Sequence, residues 1–73
     1  MTKLEKKLLE LNYELAMTQK FFVPENKIVK TYSKQVGEDK FNNISVCNDK
    51  ICNTKIADEE VMQKDLEILK ECE

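Results

Sequence analysis

The apolar positions in the first third of the chain recur at helical intervals. Met1, Leu4, Leu8, Leu11, Leu15, Thr18 and Phe22 follow alternating steps of three and four, which on a 3.6-residue helix makes one continuous seam suited to knobs-into-holes, coiled-coil packing. The spacing predicts a helix over residues 2–22. A second row, Leu9, Tyr13, Met17 and Phe21, steps by four along a different face, so this helix presents more apolar surface than one antiparallel neighbour covers. Two occupants suit the surplus: another helix of the same fold, or a partner surface, including a second copy of the chain.

Pro24 suits the first position of a new helix and Gly37 a residue just past a helix end, so the two bracket a second helix over 24–36. Within it Ile28, Val29, Tyr32 and Val36 gather on one side and Lys27, Lys30 and Lys34 on the other. A strand would put Lys30 and Lys34 on the face of Ile28, Tyr32 and Val36, a poorer pattern despite the β-favouring residues. Residues 38–56, EDKFNNISVCNDKICNTKI, read as loop or as a short β-hairpin near 44–53. There Ile44–Cys47 and Lys50–Asn53 would pair across Asn48-Asp49, two residues that tolerate a left-handed backbone.

Asp58 opens a last helix over 58–72, as N-cap or in its first turn, where Glu59 and Glu60 complement the helix dipole. Val61, Met62, Leu66, Ile68, Leu69 and Cys72 fill its apolar arc, and Glu60, Gln63, Lys64, Glu67 and Glu71 line the rest. Asp65 falls inside the arc. It must lie at the rim, or meet a lysine or a foreign donor, because burial of a lone charge is costly. The fold class expected is therefore mainly α, a single three-helix domain over 1–73.

Composition narrows the functions open to such a domain. Its 73 residues are 41% hydrophobic and 36% charged, and a chain this short has a marginal core that a partner can help to complete. All 12 basic residues are lysine, histidine is absent, and the net charge is −2. Without arginine there is no rigid fork for bidentate base or phosphate recognition, so direct sequence-specific nucleic-acid binding is not expected. Without histidine there is no Ser-His or Cys-His nucleophile and no imidazole ligand. The charge is also uneven: residues 1–37 carry +3, residues 38–57 carry 0, and residues 58–73 carry −5. Either oppositely charged elements pack together, or the acidic end faces a basic partner.

The start MTKLEKKLLEL lacks a signal peptide's apolar block, and no stretch reaches the ~20 apolar residues that span a bilayer. The expectation is cytoplasmic, with no membrane partner, and the sequon Asn43-Ile44-Ser45 then meets no glycosylation machinery. Cys47, Cys52 and Cys72 are an odd number with no close zinc-knuckle pair, so a zinc site, a redox dithiol and a cross-strand disulfide all rank below small space-filling residues. No acid pair is spaced for catalysis, and one glycine excludes a phosphate loop. No metal or cofactor is expected.

Residues 5–37 carry a family resemblance. The pattern EKKLLELNYEL, a loop, and then Ser33-Lys34-Gln35-Val36-Gly37 resemble the small two-helix aspartyl-phosphate phosphatases that regulate sporulation in bacilli, whose signature is Ser-Gln-Glu-Leu-Asp on the second helix. The resemblance implies an antiparallel helical hairpin that docks a response regulator and hydrolyses its phosphoaspartate. Gly37 stands in the place of the acidic residue on which that activity depends; Glu38 or Asp39 reach it only through a shift in register.

These features favour a small non-enzymatic regulator or inhibitor that binds another protein or itself. Its expected contact residues are Leu9, Tyr13, Met17 and Phe21 on the first helix and Glu60, Asp65, Glu67 and Glu71 on the acidic one. Abundant Lys and Asn without Arg fit AT-rich coding, and with it a phage or mobile-element inhibitor of a nucleic-acid-handling host enzyme, such as a defence nuclease. Two alternatives stay open: a phosphatase relative that binds a response regulator, and a structural subunit of a larger helical assembly.

Overall fold

In the computed structural model, which describes residues 2–73, the chain opens with helix α1, Lys3–Glu10. Thr2 caps it by accepting the Glu5 amide at 3.2 Å, and its hydroxyl donates to Glu5 Oε1 at 3.5 Å. The helix then stops. Asn12 takes a left-handed conformation, φ 71°, and the Asn12 and Tyr13 amides donate to the carbonyls of Leu9 and Leu8. This is a Schellman ending, with Leu8 and Tyr13 both buried beside it.

Four strands follow as a plain antiparallel meander: β1 (Glu14–Phe21), β2 (Lys27–Gly37), β3 (Lys40–Cys47) and β4 (Lys50–Lys55), in spatial order β1-β2-β3-β4. Asn48 and Asp49, at φ 52° and 61°, link β3 to β4 with Cys47 opposite Lys50. Two successive left-handed residues are what a tight hairpin turn with the sheet's own twist requires. Bulges interrupt β1 between Leu15 and Met17 and β4 beside Ser45 and Val46. Helix α2, Glu59–Lys70, closes the chain, its N-cap Asp58 accepting the Val61 amide at 3.1 Å.

The mainly α expectation is thus overturned, and with it the coiled-coil seam. Of the helix expected over 2–22 only 3–10 is helical, and 14–21 is strand; Met1 lies outside the described residues. The helix expected over 24–36 is the tip of a hairpin followed by β2, because its Ile, Val, Thr and Tyr residues pack well on a pleated surface and crowd a helix. The hairpin near 44–53 is present and extends to 40–55. The last helix is present at 59–70, within the bounds expected for it.

Both helices lie on one face of the sheet. Leu4, Leu8, Tyr13, Tyr32, Ile44, Val46, Met62 and Leu69 form the core between them. On β3 the residues Asn42, Ile44 and Val46 point into this layer, and Phe41, Asn43 and Ser45 point away. The buried Asn42 amide clamps the approach to α2: its Oδ1 accepts from the Ala57 and Asp58 amides at 2.7 and 2.9 Å, and its Nδ2 donates to the Asp58 carbonyl at 3.0 Å. The other sheet face carries no layer. Among the described residues no helix is long and apolar enough to cross a membrane.

Candidate protein-docking surface

The residues expected to form one helical stripe are dispersed. Leu9 lies on α1 and is half exposed; Tyr13 is buried at the entry to β1; Met17 and Phe21 project from the uncovered sheet face, 49% and 45% exposed. They do not form one surface. Glu60, Glu67 and Glu71 lie exposed along the outside of α2 and its end. Asp65 is turned inward.

Asp65 is 5% exposed. Its Oδ2 accepts from Tyr13 Oη at 2.8 Å and from Lys34 Nζ at 3.0 Å, and the Lys34 ammonium stands 5.4 Å from the Tyr13 ring centroid. The lysine alternative for Asp65 is the one realised, and the rim alternative is overturned. Burial first, then the bond to Asp65, raises the Tyr13 pKa well above its usual value near 10, so the hydroxyl stays a donor at neutral pH. A second inward pair repeats the device on α1: Glu5 Oε2 receives Lys30 at 3.6 Å and the Tyr32 hydroxyl at 3.3 Å. Burial, with Glu5 beside it, raises the Tyr32 pKa too. The first is a closed polar lock between helix and sheet; the second is open to solvent, its Lys30 side chain 38% exposed at a cleft of about 390 Å³ that Glu5 also lines.

The cysteines do not converge. Cys47 is buried in β3, Cys52 is exposed at the β4 bulge and Cys72 follows α2; all are free thiols. Among the described residues no three His, Cys, Asp or Glu side chains group to hold a metal ion. The segment Ser33–Gly37, singled out by the phosphatase resemblance, is β strand rather than helix. Lys34 turns in toward Asp65, and the Ser33 hydroxyl, on the other face, pairs with the Asn43 side chain. The helical hairpin implied by that resemblance is not formed.

Exposed apolar side chains gather elsewhere, on the β1–β2 hairpin. This hairpin overhangs the sheet: Phe21 pairs with Lys27 and Lys20 with Ile28, whereas β3 first meets β2 at Val29. Its tip carries Phe22, 72% exposed, and Val23, 85% exposed, flanked by Phe21 and Ile28. All eight residues of β1 are exposed. At the other end of β1, Leu15, Ala16 and Phe41 contribute to a shallow cleft of about 240 Å³. The sequence signal for the tip was FFVP itself, an apolar run with no charge before Glu25.

Outside α2 stand Glu59, Glu60, Glu67 and Glu71 with Lys64 and Lys70 among them, and Glu71 shares a cleft with Lys3, Lys6 and Lys7 of α1. The uncovered sheet face carries Lys27, Lys50 and Lys55, with Glu14, around Thr31, Ser33, Asn43 and Ser45. Comparison with protein-family models, with curated proteins and with solved structures finds no match for this chain.

Proposed function

We propose that the chain is a non-enzymatic protein-binding regulator or inhibitor, anchored on its partner by the hairpin arm and the β1 edge. Phe22 and Val23 at the tip supply the apolar anchors, with Phe21 and Ile28 beneath them. The acidic outer face of α2, with Glu60, Glu67 and Glu71, orients a basic partner, since surface charge steers encounter more than it adds affinity. One observation carries this reading: the most exposed large apolar side chains sit together on a projecting arm instead of being scattered singly. Aromatic anchors of this kind dominate binding energy when a pocket receives them. The grip is on a strand pair, not on the helix face suggested by the spacing of Leu9, Tyr13, Met17 and Phe21.

Photo-crosslinking tests it. The variant Phe22→p-benzoylphenylalanine, irradiated in the cells that express the chain, is expected to give a discrete protein adduct, and the same probe at Asn53 to give none. Adducts absent from Phe22, or equal at both positions, overturn the proposal.

A further inference from the structure

We infer that the occupant of this edge is a second copy of the chain, joined by antiparallel pairing of β1 with β1 about a twofold axis at Gln19. The inference rests on the reading above of β1 and the hairpin arm as a protein-docking surface.

Four observations carry it. The first is the contrast between the two sheet edges. On β4 the Ile51 amide donates to the Glu73 carboxylate at 3.0 Å and the Thr54 amide to Asn53 Oδ1 at 2.9 Å, so side chains occupy that edge. Among the described residues no side chain accepts from a β1 amide, and beyond its bulge β1 offers five regular residues, Met17–Phe21, as a template for another strand.

The second is register. Between the bulge and the tip, β1 is regular over Met17–Phe21, and Gln19 is its midpoint. Pairing about Gln19 keeps faces matched, because residues equidistant from the axis share a face. It places Met17 opposite Phe21 of the second copy, a sulfur–aromatic pair made twice. Thr18 falls opposite Lys20, and no like charges oppose.

The third is fit at the ends. Phe22 and Val23 form the tip beyond one end of this regular run, and the cleft of about 240 Å³ beside Leu15 and Ala16 opens beyond the other. Tip and cleft lie at opposite ends of one edge, as an isologous contact requires.

The fourth is area. The accessible surface is 5409 Å² for 8.6 kDa, against roughly 4,700 Å² expected of a folded monomer of that mass. The excess, roughly 700 Å², is surface left open by the projecting arm and the uncovered sheet face.

Sedimentation equilibrium of the purified chain is expected to give twice 8.6 kDa at high concentration and dissociation on dilution. The pair Met17→Lys with Phe21→Lys puts like charges opposite each other twice, and so does Met17→Glu with Phe21→Glu. Each double variant is expected to dimerise at least about tenfold more weakly. Mixed one to one, the two are expected to form a heterodimer that salt weakens. These positions are exposed, and unchanged circular dichroism checks that each variant folds. A wild-type monomer at every concentration overturns the inference, as do double variants that dimerise like wild type or a mixture that does not associate. If the wild type is monomeric while Phe22 still crosslinks a foreign protein, self-pairing fails and the docking reading stands; if neither occurs, both fail.

Discussion

The Asp65 carboxylate sits beneath α2 with Tyr13 and Lys34 as its partners, so the trio joins α2 to β2 and to the turn between α1 and β1. Burying an ion pair recovers little net stability, but removing one member leaves the other charged, dry and alone. Asp65→Ala is accordingly expected to cost about 3 kcal/mol in urea unfolding. The triple change Tyr13→Phe, Lys34→Met, Asp65→Leu is expected to lie much nearer wild type, because it removes every polar group together. A triple variant less stable than Asp65→Ala would contradict that account of the trio. The same residues explain why the sequence misled at this point. Lys30 and Lys34 argued against β2 because they would share a face with Ile28, Tyr32 and Val36, and Asp65 spoiled the apolar arc of α2. They do share that face, and they are satisfied there: Lys34 by Asp65, Lys30 by Glu5. Two anomalies in separate segments were complementary, a relation that no single-segment pattern contains.

At the scale of elements, the decisive position is Asn12. Steps of three and four hold through Leu4, Leu8 and Leu11 within or at the end of a real helix; their continuation through Leu15, Thr18 and Phe22 is coincidence, since β1 makes those residues a strand. What ends α1 is a left-handed residue, and asparagine adopts that conformation more readily than other non-glycine residues. Asn12→Ala is expected to destabilise the fold by about 1 kcal/mol, and Asn12→Gly to be nearly neutral. Urea midpoints measure both; an alanine variant as stable as glycine would mean that the turn is not what stops the helix. Local backbone signals held in two places and failed in two: the Asn48-Asp49 turn and the Asp58 cap are as the sequence indicated, whereas Pro24 and Gly37, read as the start and end of a helix, lie at the β1–β2 tip and the end of β2. Choosing strand over helix for 14–37 depended instead on which side chains meet across the sheet, and that information lies outside any window.

On the scale of the whole molecule, one covered and one uncovered sheet face account for its shape. The Cα extents are 36 × 26 × 17 Å and the radius of gyration is 12.2 Å, a little above the about 11 Å of a compact domain of this length. The hairpin arm supplies the excess. Eight apolar side chains make the core, while Phe21, Phe22, Val23 and Ile28 remain outside it. Of the contact residues expected from sequence, Met17 and Phe21 belong to the proposed docking edge and Glu60, Glu67 and Glu71 to the acidic face; Tyr13 and Asp65 are internal. Phe22 and Val23, the most exposed apolar residues of the arm, escaped notice because Phe22 was assigned to the seam of a helix.

Backbone hydrogen exchange over Met17–Phe21, followed as a function of protein concentration, tests the role of this edge most directly. In dilute solution, alternate amides are expected to be protected by β2 and the intervening, outward ones to exchange freely. As concentration rises, the outward amides are expected to slow at least about tenfold as a second β1 pairs with them. Outward amides that exchange freely at every concentration would contradict self-pairing, and uniform protection in dilute solution would contradict the edge itself.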